Sequence, residues 1–273
     1  MNVLSRENVM KGLSGNQLKI IGVILMVIDH LHQMFWLQGV PDWFTWLGRL
    51  SAPIFLFLCA EGMVHTSSRK KYLLRLLIGF EFMNVMSRLI TYFMPNENVV
   101  LMNNIFGTLF VAALYMVFTD MLVKGVKDKK PGKIIFSALL MLLPLVIGLL
   151  NLWVIESLLK YEPALPIKFI QAAVFALGLI PNLIFVEGGF AIVFLGVLFY
   201  IFREKLVMRI IALAVVAMLS FGTSDTVQWM MVFAAVFFPL YNGERGGGGK
   251  YFFYVFYPAH IYVLYIAAWF IYR

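Results

Sequence analysis

The sequence predicts an all-α polytopic membrane protein, a bundle of about nine to ten transmembrane helices forming one domain over residues 1–273. Composition carries that prediction: 62% of residues are hydrophobic and only 13% are charged, with a mean hydropathy of +0.88. Soluble domains are usually about 45–50% apolar and about 25% charged, and one core of this size could not hide so much apolar surface. The apolar residues also fall in continuous runs, which argues against an alternating barrel strand pattern. Disordered chains and secreted disulfide scaffolds are excluded on the same grounds, and the single Cys59 cannot close an internal disulfide.

The first run, residues 18–37, follows a polar start that includes Arg6, Glu7, Lys11, Asn16 and Gln17. It is longer than a signal-peptide core and no small-residue cleavage site follows, so it reads as an uncleaved first helix. The second run, 46–64, ends at His65-Thr66-Ser67-Ser68-Arg69-Lys70-Lys71, and the third, 73–94, stops at Pro95. The fourth, 99–123, leads into Lys124, Lys127, Lys129, Lys130 and Lys133, and the fifth, 134–155, closes at Glu156. Pro163 and Pro166 precede a run over 167–186 that Pro181-Asn182 interrupts, and Glu187-Gly188-Gly189 opens another to Phe202. Residues 167–202 therefore read as a broken or re-entrant helix. Runs at 207–221, 227–241 and 251–271 complete the chain. The glycine-rich connector 242–250 reads as a flexible hinge or loop; no Gly-Lys-Ser/Thr follows it to make a phosphate cradle.

The formal charge is +8. Its basic residues cluster between apolar runs, where they set topology and meet anionic headgroups rather than nucleic acid. With a cytoplasmic N-terminus, the basic segments after the second and fourth runs face inside. Those at 203–209 and 245–250 do so too if 167–202 is one crossing plus a re-entrant piece, giving about nine spans; two full helices there give about ten.

Charges inside apolar runs cost several kcal/mol unless paired or hydrated, so they mark candidate sites. The first helix holds Lys19, Asp29, His30 and His32. Lys19 and His30 lie about three turns apart on one face, roughly 16 Å along the axis, with Met26 between them. His30 can accept a proton near neutral pH, and Asp29 could orient it, although adjacent helical positions diverge by about 100°. In the second run, Glu61 and His65 stack at i, i+4, and Arg49 either reaches an interface or lies at depth. Arg75, Glu81 and Arg88 punctuate the third: Arg88 shares a face with Asn84, and Glu81–Arg88 reads as an internal ion pair or part of a cationic lining. Asn103 and Asn104 resemble helix caps, and Glu187 suits a helix N-terminus. Tyr254, Tyr257 and Tyr262 near His260 and Pro258 read chiefly as belt tyrosines. No zinc-ligand spacing, Walker motif, nucleophile elbow or dinucleotide fingerprint is present, so no metal is expected.

Several strings together resemble one family. Lys19 with Met26 and Asp29-His30, then Leu47-Gly48-Arg49-Leu50-Ser51-Ala52-Pro53-Ile54-Phe55, then Glu61-Gly62-Met63 with His65-Thr66, resemble the TraX family. So do Tyr72-Leu73 with Arg75-Leu76, Glu187-Gly188-Gly189 and Phe253-Tyr254 with Tyr257-Pro258-Ala259-His260. The resemblance runs in order along nearly the whole chain. It implies a multi-pass protein of the bacterial cytoplasmic membrane, similar to transmembrane acyltransferases that move acyl groups from cytosolic acyl-CoA to acceptors at the membrane. The family takes its name from a conjugation protein tied to acetylation of the pilin N-terminus. Such enzymes carry a basic residue upstream of a first-helix histidine, and Lys19 and His30 match that spacing.

On this reading acetyl-CoA is the acyl donor and the acceptor is an amine or hydroxyl of an envelope glycan, lipid or pilin-like protein. His30 is the catalytic base with Asp29 beside it. Arg49, Glu61, Arg88, Asn104, Glu187 and His260 are candidates for substrate binding, and Lys19, Arg69, Lys70, Lys71 and Arg75 for the CoA phosphates. Direct transfer and an acyl-histidine intermediate both stay open. Asp29, His30, Glu61 and Arg88 would also suit the proton relay of a coupled transporter, and a non-catalytic membrane partner is the third reading. Binding and turnover of acyl-CoA separate the first from the other two.

Overall fold

The computed structural model describes residues 12–160, 165–221, 227–249 and 251–273. Arg6, Glu7, Lys11, Pro163 and Lys250 lie outside those described residues. Every apolar run carries helix, and among the described residues no strand forms; Leu13 and Tyr241 make an isolated bridge. The chain is an all-α polytopic membrane protein. Five helical stretches among the described residues are long and apolar enough to cross a bilayer: Gly15–Gln38, Trp43–His65, Ile105–Lys127, Pro131–Lys160 and Phe252–Tyr272. The helices group into two compact units, one of the chain through Leu58 with Glu204–Ala268, the other of Cys59–Arg203 with Trp269–Arg273.

The first unit opens with α1 (Gly15–Phe35). Ser14 and Gln17 form a reciprocal capping box, the Ser14 hydroxyl accepting from the Gln17 amide and the Gln17 side chain from the Ser14 amide. The Gly15 and Asn16 amides donate to the carbonyls of Glu244 and Arg245 at 2.8 and 3.0 Å, and the Asn16 side chain donates to the Gly247 carbonyl. The glycine-rich connector is therefore a docked strap over the start of α1, not the loose hinge its composition suggests. Gly246 (φ +74°) and Gly248 (φ +146°) take backbone conformations that side chains resist, and a Cβ at either would strike Ser14 or Asn16.

The second apolar run is broken into α2 (Trp43–Gly48) and α3 (Ser51–His65). Pro53 explains the position: it has no N–H for the Arg49 carbonyl and its ring would clash there, so the helix restarts at Ser51. α9 (Leu206–Ser220) and a 3₁₀ helix at Gln228–Phe237 pack together, and α10 (Phe252–Tyr272) closes the unit. Arg209, expected in a basic loop, instead sits inside α9 with 3% exposure, its guanidinium 4.8 Å from the Phe57 ring centroid. The ring supplies a cation–π face for the buried charge. Tyr257 and Tyr262 are buried, as is Tyr265. They are core side chains rather than the expected belt.

The second unit contains α4 (Arg69–Phe93), α5 (Ile105–Lys127), α6 (Pro131–Lys160), α7 (Ile167–Gly178) and α8 (Gly189–Ile201). α5 is its centre and packs against α4, α6 and α8. The helix break expected over 167–202 is present. α7 and α8 have 12 and 13 residues, each too short to cross alone. Non-helical backbone at such depth must find partners inside the protein, and Asn182 supplies several. Its Oδ1 accepts from the Ile184 and Phe185 amides and its Nδ2 donates to the Ile180 carbonyl. α6 supplies more: Asn151 donates to the Leu177 carbonyl, and the Pro144 carbonyl accepts from Leu183.

Candidate active site

In the first unit, α1 turns one face toward side chains of α10. Lys19 lies 5.5 Å from the Phe253 ring centroid, Met26 is buried, and His30 meets His260. The face inferred from the spacing of Lys19 and His30 thus points inward. His30 has 3% exposure, and its Nδ1 lies 2.8 Å from His260 Nε2 with the two rings nearly parallel. His260 Nδ1 in turn lies 2.9 Å from the Phe256 carbonyl, and its ring stacks on Phe256 and meets Tyr257 edge-on.

This chain of contacts assigns the tautomers. A carbonyl can only accept, so His260 Nδ1 carries the proton and donates to Phe256. In the neutral ring Nε2 is then the acceptor, and His30 Nδ1 must donate to it. In that tautomer the lone pair of the neutral His30 ring lies on Nε2. A backbone carbonyl and one imidazole thereby orient a second imidazole, the role a carboxylate plays in a hydrolase triad.

Asp29 lies against Gly48 of α2, where a Cβ would overlap its carboxyl group. Asp29 and His30 thus address different helices, as the 100° step between neighbours dictates. Arg49 sits half-buried in the break between α2 and α3.

The remaining candidates belong to the second unit. Glu61 and His65 form the expected i, i+4 pair at 3.6 Å. Arg69 begins α4 after the Ser68 cap, and its guanidinium binds both Asp120 of α5 and the Tyr200 hydroxyl of α8, while Tyr200 donates to Asp120 at 2.7 Å. Asp120 and Tyr200 were not singled out from sequence, although a lone carboxylate within an apolar run was the available signal. Lys70 and Lys71 are exposed on the first turn of α4, and the Arg75 guanidinium lies 5.8 Å from the Tyr72 ring centroid.

Asn104 stands at the N-cap position of α5 but caps nothing with its side chain. Its Nδ2 donates to the Phe80 carbonyl and Asn84, and its own amide donates to the Glu187 carboxylate at 2.8 Å. Glu187 therefore serves the start of α5 across the fold, and its carbonyl accepts from Thr108. Arg88 lines a cleft with Asn84 and makes no ion pair with Glu81 among the described residues.

The TraX protein family model matches residues 14–268, a stretch that contains both histidines and every candidate above. The chain belongs to the TraX family. Among curated relatives of this TraX chain is the probable fimbrial assembly protein FimC, serogroup H1, of Dichelobacter nodosus. It is 26% identical over 270 residues, covering 92% of this chain and 94% of the relative. No solved structure matches the TraX chain.

Proposed function

We propose that this TraX-family protein is an integral-membrane acyltransferase that moves an acetyl group from acetyl-CoA to an amine or hydroxyl of an envelope or pilin-like acceptor. The observation that carries the reading is the His30–His260 pair, because it leaves a buried imidazole oriented as a base. His30 Nε2 takes the proton as the acceptor nitrogen or oxygen attacks the thioester carbonyl. The tetrahedral oxyanion collapses, the carbon–sulfur bond breaks, and the leaving thiolate takes that proton back from His30. His260 is a positioning residue: it holds the His30 tautomer and shares the charge of the imidazolium. Within the second unit the Arg69 guanidinium already serves Asp120 and Tyr200, while Lys70 and Lys71 are exposed. A relative named for fimbrial assembly fits a pilin-like acceptor.

The test is acetyl-CoA binding and slow hydrolysis by the purified protein in nanodiscs, wild type against His30→Ala. Binding should persist in the variant while turnover falls by about 100-fold or more. Equal turnover in the two proteins, or no binding in either, would overturn the proposal and return the broken α7–α8 segment to a carrier reading.

A further inference from the structure

α4 carries two adjoining rows of side chains. Leu74, Ile78, Phe82, Val85, Leu89 and Tyr92 recur at steps of three and four and are all exposed, a lipid-facing row. Beside it run Asn84, Ser87, Arg88 and Thr91, again at i, i+3, i+4 and i+7, so they share a polar face. That face lines a cleft of about 380 Å³, walled opposite by residues 100–104 and by Phe175 and Gly178 of α7. Arg88 is exposed there and engages no partner among the described residues.

The position of Arg88 along the helix matters as much as its freedom. It lies nineteen residues after Arg69, roughly 28 Å along the axis, close to the roughly 30 Å of a bilayer's hydrocarbon core. Set across a bilayer, α4 would place its Arg69–Lys71 end and its Arg88 end at opposite headgroup levels. Tyr92, Phe93 and Met102, each more than 70% exposed, surround the Arg88 end with the aromatic and apolar side chains of an interface. A guanidinium at that depth beside lipid-facing residues is stabilised by an anion, and its fork suits phosphate.

We infer that this cleft binds the headgroup of an anionic phospholipid. Arg88 holds the phosphate, Asn84, Ser87 and Thr91 offer hydrogen bonds to headgroup oxygens, and the acyl chains lie along the exposed row of α4. A soluble phosphate ester presents the same anion without chains, so the two sources are separable.

The experiment is native mass spectrometry of the full-length protein in a nonionic detergent with phosphatidylglycerol, phosphatidylcholine or glycerol 1-phosphate added. Phosphatidylglycerol should be retained in preference to phosphatidylcholine, and Arg88→Gln should weaken its retention by about ten-fold or more, the loss of a hydrogen bond to a charged group. Arg88→Lys should keep part of it, and Lys130→Gln, which removes an exposed charge elsewhere, should leave it unchanged. Glycerol 1-phosphate should not compete. Equal retention by Arg88→Gln and wild type would overturn the site, and displacement by glycerol 1-phosphate would overturn the lipid as its occupant. Arg88 is exposed, so its variants should melt with the wild type; acetyl-CoA turnover plays no part in the readout.

Discussion

A buried histidine is ordinarily a poor place to keep a proton acceptor, because neither nitrogen can rely on water. Here the ring of His30 has a partner for Nδ1 in His260, and His260 has one in the Phe256 carbonyl. Both nitrogens of His260 are thereby used in fixing the tautomer of His30. Replacing His260 with Phe keeps the stacking surface on Phe256 but removes the acceptor. We expect kcat for acetyl-CoA turnover to fall by about 10-fold or more with a small change in KM, as when an orienting partner is lost. Because the two rings act as a unit, the double variant of His30→Ala and His260→Phe should be no slower than His30→Ala alone. Additive losses in a double-mutant cycle would show that His260 acts independently.

Helix breaks, more than helix lengths, distinguish these elements. α2 and α3 part at Gly48-Arg49-Leu50 because Pro53 withholds one donor, and the same short α2 brings Gly48 against Asp29 on α1. Gly48→Ala places a methyl group where the Asp29 carboxyl sits, so α1 and α2 must separate or Asp29 must turn. The cost should be about 1–3 kcal/mol, the range for overpacking a close contact, read as a lower midpoint in thermal unfolding in detergent. An unchanged midpoint would mean that the contact relaxes freely. At α7–α8 the break is held differently. Asn182 folds the backbone onto its own side chain, while Asn151 and Pro144 of α6 bond the Leu177 carbonyl and the Leu183 amide. That discontinuity is a built feature of the second unit.

Orientation in the membrane belongs to the chain as a whole. Basic segments following α3 and α5 place both on the cytoplasmic side when the N-terminus is inside, and residues 95–98 then face the opposite side. In spheroplasts expressing single-cysteine variants, Asn98→Cys should label with an impermeant maleimide from outside, whereas Lys129→Cys should label only after permeabilisation. Native Cys59 is buried and should contribute little background. The reverse pattern would invert the topology.

Hydropathy is local and nearly additive, so the all-α membrane class, the apolar runs and the break over 167–202 could be read residue by residue. Local periodicity likewise turned Lys19, Met26 and His30 to one face and joined Glu61 to His65. What a periodicity cannot say is which distant element fills the opposing position. His30 finds its acceptor 230 residues away, Arg69 is claimed by Asp120 and Tyr200 at separations of 51 and 131 residues, and Glu187 serves the start of α5 from 83 residues downstream. Tyr257, Tyr262 and Arg209 misled for the same reason: whether a polar tip meets water, lipid or a neighbouring helix is decided only when the helices pack. Sequence alone determined that His30 and the tyrosines of the last helix lie within apolar runs. Folding decided their partners, because hydrogen bonds depend on proximity in space, to which sequence separation is no guide.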